Sequence, residues 1–348
     1  MKKKIDCEKV SFSYFTTTLM LSLFVFLTFG NSAYASSAAS IGDSLVTNNK
    51  QIKKKLAYIV SDSRIPFWDI MGRGIKNTAQ SLGYEFQIYT AENSAKNELA
   101  SVAAALRDNV SGIIVSPTSS SACVTILKWA KKAGVPVVIS DIGTDGGDYV
   151  SYISSNNKEG AYQVGKILAQ KMRSMGWQDG SVGIVAIPQK RLNGQLRTTG
   201  FMQAMDEAGI KGADIKQQFD FSYEETYNYT RLMIEKYAAL RAIFIQGSDR
   251  YQGALDAIED TGKRKKVLLV SFDAEPIFLD LIPEGVIVGA AMQQPYLMGE
   301  KAAILMDKYL QGKPVEKDVQ LSILAVSEEN ITEKLAIIKR NVLGIDAK

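Results

Sequence analysis

The sequence predicts an α/β protein of two doubly wound parallel-sheet lobes joined by a three-strand hinge. Three observations carry that prediction. The chain has 348 residues, and single hydrophobic cores stop growing at about 250–300 residues, so two are expected. From Leu56 onward, apolar runs of strand length alternate with helical patterns in a regular beat. Those runs are apolar throughout and not alternating, which marks parallel strands covered on both faces.

Ahead of the first unit, Lys2, Lys3, Lys4 and Lys9 accompany an apolar segment from Leu19 to Phe29, and Ala33-Tyr34-Ala35 supplies a small-residue cleavage pattern. Together they predict a signal peptide over residues 1–35. The competing reading is a membrane anchor, but the apolar segment is shorter than the roughly 20 residues a spanning helix needs. Residues 36–51 are rich in Ser, Ala and Asn without periodicity and read as a flexible leader. Loss of residues 1–35 removes four lysines and two acids, Asp6 and Glu8, so the formal charge falls from +4 to +2. A surface so nearly balanced gives no basis for a nucleic-acid or anionic-membrane partner, which needs a concentrated basic footprint. Cys7 leaves with the signal peptide, and Cys123 alone can form no internal disulfide. With no cysteine at the cleavage site to carry a lipid, the expected product is a free, monomeric protein of the periplasm.

In the first lobe the expected strands are Leu56 to Ser61, Tyr84 to Tyr89, Gly112 to Ser116, Val135 to Ser140 and Val150 to Ser154. Helices fall at Trp68 to Leu82, Ser94 to Asp108 and Ser120 to Ala133, the last two opening with serine near the N-cap. After "SSNNKEGAY" the beat restarts with a helix from Lys158 to Met175. Strands then follow at Val182 to Ile187, Asp214 to Phe219, Ala242 to Gln246, Val267 to Phe272 and Val286 to Met292. The helices between them are Leu196 to Ala208, Tyr223 to Tyr237, Asp249 to Thr261 and Pro276 to Ile282. A final helix, Tyr296 to Leu310, and an extended segment, Val319 to Val326, lack an obvious partner in the second lobe and are expected to cross back over the hinge. The lobes are therefore drawn as 52–155 with 294–321 and 156–293 with 322–348. A chain that crosses between lobes three times builds a clamp able to close on a ligand.

The stretch "SDSRIPFWDIMGRGI" from Ser61 to Ile75 places Phe67 and Trp68 after a strand, at the carboxyl end where open α/β sheets bind ligands. The plainer alternative is that both rings staple the helix start to the core. "GRGIKN" at Gly72 to Asn77 lacks the third glycine of a phosphate loop and lies within a helix, so its glycines read as close-packing positions.

From about Leu56 to Val326 the chain resembles the type 1 periplasmic solute-binding proteins, the ribose-binding-protein family. The resemblance is carried by "IPFWDIMGRGIKNTAQSLGY", "IIVSPTSSSA", "GVPVVISD", "YISSNNKEGAYQVGK", "TTGFMQAM", "IFIQGSDRYQGAL", "VSFDAEP" and "MQQPYLMGEKA", in that order. It implies a binder of a small polar ligand, sugar-like or polyol, that serves an ABC transporter permease or a chemoreceptor. Position by position, Phe67 and Trp68 match an aromatic pair that sandwiches a pyranose, and Asp141 and Asp273 match acids that accept from hydroxyls. Phe221 matches an aromatic of the second lobe, and Gln293 a hinge glutamine. Aromatic faces suit the C–H faces of sugars, and carboxylates bind hydroxyls strongly.

The departures concern donors. Ile142 stands where an arginine commonly follows the first acid, Gln195 falls near a second arginine position, and Ile65 and Gly247 replace asparagines. Arg64, Arg197 and Arg250 are near enough in sequence to substitute, although arginines at a cleft mouth also serve as surface residues or lobe-to-lobe ion pairs. Some members of the superfamily present autoinducer-2 or trimethylamine N-oxide to a sensor kinase, and Ser248 and Asp249 would serve a signal binder of that sort. The alternative for Ser248 is an N-cap of the helix through Leu255. The absence of histidine removes His-based triads and His-bound zinc, so no enzyme, cofactor or metal is expected. A DNA-binding regulator would need a helix-turn-helix ahead of Leu56, where the signal peptide lies.

Overall fold

The computed structural model describes residues 54–189 and 191–345. The expected signal peptide and the leader lie outside them. In chain order the elements are β1 (Lys55–Val60), α1 (Pro66–Ser81), β2 (Glu85–Thr90), α2 (Ala95–Arg107), β3 (Gly112–Ser116), α3 (Ser120–Lys132), β4 (Val137–Ser140) and β5 (Ser151–Ser155). Then come α4 (Asn157–Ser174), β6 (Ser181–Ala186), α5 (Leu192–Glu207), β7 (Lys211–Gln217), α6 (Tyr223–Lys236), β8 (Leu240–Ile245), α7 (Tyr251–Asp260), β9 (Leu268–Phe272), α8 (Phe278–Leu281) and β10 (Gly289–Met292). The chain closes with α9 (Pro295–Leu310), β11 (Asp318–Leu321), β12 (Leu324–Ser327), α10 (Ile331–Ile337) and a π-helical turn (Ile338–Val342).

The strands form two six-stranded sheets of matching order, β11-β5-β4-β3-β1-β2 and β12-β10-β9-β8-β6-β7. Strand pairs are parallel except β10 with β12. Both faces of each sheet are covered. Along β1, Leu56, Tyr58 and Val60 enter one buried cluster while Ala57 and Ile59 enter another. Along β8, Ile243 and Ile245 face one cluster while Ala242 and Phe244 face a second. This two-sided burial is why the strands read as continuous apolar runs.

Local chemistry sets the helix starts. The side chains of Ser94, Ser119, Asn156 and Ser222 accept from the backbone N–H three residues ahead, opening α2, α3, α4 and α6. Pro66 opens α1, its fixed φ already helical. Helices α1 and α9 approach closely through glycine: a Cβ on Gly74 would run into the carbonyl oxygen of Tyr296, and one on Gly299 into that of Met71. The close-packing role expected for "GRGIKN" thus falls on Gly74.

The chain passes between sheets three times, from β5 to α4, from β10 to α9 and from β11 to β12. The last passage corrects the sequence reading. The segment Val319 to Val326 is not one strand; it breaks at Ser322-Ile323, so that β11 joins the first sheet and β12 the second. Gln294 donates to the Ser322 carbonyl at 2.8 Å, tying two of the three passages together. Helix α5 begins at Leu192, four residues ahead of expectation, and α7 at Tyr251, two residues after Asp249. Beyond Val326, where no element was expected, α10 and the π-helical turn bury Ile331, Ile338, Val342 and Leu343 in the second lobe. Among the described residues, no helix is long and apolar enough to cross a membrane.

Candidate functional site

The site is built from the carboxyl ends of β1 and β4 in the first sheet and β9 and β10 in the second. After β1, Asp62 accepts from the Arg64 N–H at 3.0 Å, and the turn delivers Pro66, Phe67 and Trp68 into the first turn of α1. Phe67 is half-buried, Trp68 is 5% exposed, and their rings meet edge-on at 6.3 Å. Both belong to the core of the first lobe, as the staple alternative requires. Trp68 nevertheless turns its indole N–H to Asp141 Oδ2 at 3.2 Å, so this core ring also reaches one of the two candidate acids.

Asp141 and Asp273 occupy equivalent places after β4 and β9. Each has a positive φ, 70° and 68°, and each donates its backbone N–H to the next strand, to Ile153 and Ala291. Phe221 also has a positive φ, 57°, which is uncommon for a bulky residue. Strained backbone of this sort is held in place only by surrounding structure, and it collects at functional sites.

Arg197 is the donor that the missing arginines left open. It is 4% exposed and lies with its guanidinium carbon 3.9 Å from the centre of the Phe272 ring. Its Nε donates to Asn157 Oδ1 at 2.8 Å and its Nη1 to the Gln246 carbonyl at 2.7 Å, while Nη1 stands 3.5 Å from Asp273 Oδ2. Gln293 Nε2 donates to the other oxygen of Asp273 at 2.7 Å.

The sequence reading missed Arg191. This residue is 8% exposed and donates from Nη2 to the Thr118 carbonyl at 3.2 Å, which bonds the second lobe to the first. Thr118 is itself held by the fully buried Glu98, which accepts from its N–H at 2.6 Å and its hydroxyl at 3.0 Å. Arg191 and Arg250 each place a guanidinium carbon 5.5 Å from the centre of Phe221. With α5 expected only from Leu196, Arg191 read as loop; the "KRLNGQLR" cluster was the available signal.

Other expected residues lie elsewhere. Gln195 is exposed and donates to the Gln189 carbonyl, sharing no hydrogen bond with the acids. Arg64 is exposed and pairs with Asp62 at 2.7 Å. Asp249 pairs with Arg250. Ser248 is buried, but it does not cap α7; its hydroxyl donates to Glu275 at 2.7 Å, and the helix starts without a side-chain cap.

The comparisons with known proteins concern the family and the fold. The profile of the periplasmic binding protein domain covers residues 56–314. The chain belongs to the periplasmic binding protein family. It is 28% identical over 283 residues to the ribose import binding protein RbsB of Haemophilus influenzae, covering 81% of this chain and 94% of that one. It is 23% identical over 308 residues to the D-apiose import binding protein of Paraburkholderia graminis, covering 87% and 97%. Among solved structures, a carbohydrate transporter solute-binding protein from Agrobacterium radiobacter, in complex with D-arabinose, superimposes with a TM-score of 0.77 at 22% identity, over 84% of this chain and 99% of that one. An ABC transporter solute-binding protein from Actinobacillus succinogenes with bound D-allose gives 0.75 at 22%, over 81% and 100%.

In this periplasmic binding protein the two acids titrate abnormally. Burial pushes Asp141 up to about 6, against the pull of Arg197 and with a further push from Asp273. Burial also raises Asp273, while Arg197 and the Gln293 amide oppose the rise. Burial lowers both Arg191 and Arg197 from the usual guanidinium range, although the acids around them hold them up. Three buried polar atoms here have no hydrogen-bond partner among the described residues: Asp141 Oδ1, Gln293 Oε1 and Arg191 Nε. Two are acceptors and one is a donor.

Proposed function

We propose that the protein captures a polyhydroxylated small molecule, a sugar or polyol, between its lobes and delivers it to the membrane permease of an ABC transporter. The observation that carries this is the set of unpartnered buried atoms, Asp141 Oδ1, Gln293 Oε1 and Arg191 Nε, with the indole of Trp68 bonded to Asp141. A buried polar atom without a partner costs about 1–3 kcal/mol, so a complementary ligand gains by supplying one. A hydroxyl both donates and accepts, so vicinal hydroxyls serve a mixed set of this kind. A cationic amine donates only; it would leave Arg191 unserved and would meet two arginines. The site therefore favours hydroxyls over a methylated amine.

In this reading Phe67 and Trp68 line the apolar face of the ligand, and Asp141, Asp273, Gln293 and Arg191 bind its hydroxyls. The donor role expected of the family's arginines passes to Arg191 and Arg197. The lobes are the segments 52–155 with 294–321 and 156–293 with 322–348, a division supported by sheet membership. Export follows from cleavage after Ala35, and the named relatives, import binding proteins, support capture in the periplasm for uptake. The test is a thermal-shift screen of residues 36–348 against pentoses, hexoses, polyols and methylated amines. Ligand at 100 times its Kd adds about 2.7 kcal/mol, a shift of a few degrees. A shift with a sugar or polyol is the expected result; a shift with a methylated amine alone overturns the reading and favours presentation to a sensor kinase.

A further inference from the structure

Beside Asp141 lies a cavity of about 160 Å³. None of Phe67, Trp68, Arg197, Asp273 and Gln293 lines it. Its wall comes from both lobes: Ser120, Asp141, Tyr152 and Ser155 on one side, Asn157 and Asn193 on the other. At about 30 Å³ of liquid volume per water, it holds on the order of five waters, the scale of one sugar ring. It reaches the surface past Leu192, which is 58% exposed, and the exposed Gln320.

Two of the lining residues are almost fully buried and each has an unpartnered oxygen. Asp141 is 5% exposed and Ser155 is 4% exposed, and neither Asp141 Oδ1 nor Ser155 Oγ has a hydrogen-bond partner among the described residues. Asn157 joins the cavity wall to Arg197, since its Oδ1 accepts from Arg197 while its amide donates to the Ser155 carbonyl at 3.0 Å. A carboxylate offers about four lone-pair sites, and Trp68 uses one of those on Asp141, so this residue can accept from a ligand on the cavity side as well as on the Trp68 side.

We propose that this cavity is a second carbohydrate subsite that shares Asp141 with the interlobe site, so that the ligand is a disaccharide or glycoside and not an isolated ring. The inference rests on the sugar reading above. The second unit lies against hydroxyl and amide groups, accepting from Asn193 and donating to Asp141 and Ser155, and its far end points to the opening between Leu192 and Gln320.

The experiment is calorimetric titration of the mature protein with ribose, allose, glucose, xylose and myo-inositol, and with maltose, cellobiose, trehalose and xylobiose. At least one disaccharide is expected to bind about tenfold or more tighter than its own component ring, a gain of about 1.4 kcal/mol. Ser120→Phe, which fills the cavity from the first lobe, is expected to abolish that gain. Leu192→Trp, at the exposed rim, does the same from the second lobe and stands in if Ser120→Phe does not fold. Monosaccharide binding with no gain from any disaccharide, or a gain that both variants leave intact, overturns the subsite and leaves the sugar reading standing. Silence from every carbohydrate overturns both.

Discussion

Asp141 and Asp273 stand at the same place in two sheets of the same order, each at a strand end with positive φ, yet their surroundings differ. Asp273 is already served, with one oxygen accepting from Gln293 at 2.7 Å and the other facing Arg197 at 3.5 Å. Asp141 receives only the Trp68 indole at 3.2 Å and keeps one buried oxygen without a partner. Asp273 already has bonds to both its oxygens, while Asp141 keeps one without a partner among the described residues. The difference teaches that a repeated fold supplies repeated positions, while the neighbours decide how many bonds each position has left to give. Burial takes Asp141 up to about 6 with no cation bonded to it directly, and Asp273 is raised by burial as well, against the pull of Arg197.

The contrast can be broken most forcefully at Arg197. Arg197→Ala leaves Asp273 buried without its cation and removes the bonds to Asn157 and the Gln246 carbonyl. A loss of about 3–5 kcal/mol is expected, read by chemical denaturation; a loss below about 1 kcal/mol would mean that Asp273 is not held by this pair. Next, Asp141→Asn should act in the opposite direction. Removing a buried carboxylate that has little direct support stabilises the ligand-free protein at pH 8, read as a higher Tm, by no more than the roughly 3 kcal/mol that about two pK units represent, while ligand affinity falls. Asp273→Asn removes a carboxylate that burial raises but also takes the counter-ion from Arg197, which stays bonded to Asn157 and Gln246; the two effects oppose, and a net change of no more than about 1 kcal/mol is expected by chemical denaturation. If both Asn variants lowered Tm equally, the two acids would be equivalent and the contrast lost.

The smallest effect is the pH dependence. A carboxyl group raised in the folded state contributes stability that is fully present below its unfolded value, near 3.8, and is lost as pH rises through about 6. Stability of the ligand-free protein should therefore fall between pH 4 and 7, and Glu98, Glu275 and Asp273, also raised by burial, act with the same sign. Asp141→Asn should make that slope shallower without abolishing it. Ligand affinity has the reverse trend, weakening below about pH 6 as Asp141 takes up a proton; affinity unchanged from pH 7 to 5 would show that its carboxylate does not bind the ligand.

The family resemblance pointed to Asp141, Asp273 and Gln293, and their place directly after apolar runs agrees with it, since in open α/β sheets such positions face the cleft. Gln195, Arg64 and Arg191 show where that reasoning stopped. All three lie near turns, and only helix phase or a local partner separates them: Arg64 is captured by Asp62 two residues away, Gln195 falls on the exposed side of α5, and Arg191 precedes a helix that starts earlier than its apolar pattern. The N-cap alternative for Ser248 fails for a similar reason. A serine near a helix start usually caps it, but Glu275, from a distant segment, takes its hydroxyl.

The sequence by itself determined the beat of strands and helices, their two-sided burial and the division into two lobes, because apolar runs, caps and turn residues act over a few positions. Only the tertiary structure decided that Val319 to Val326 divides between two sheets, that Trp68 serves the core and also reaches Asp141, and that Asp141 lacks the cation Asp273 has. Those outcomes depend on which groups meet from distant parts of the chain. Whether a buried charge is stabilised or exposed to a ligand follows from its distance to partners far away in the chain.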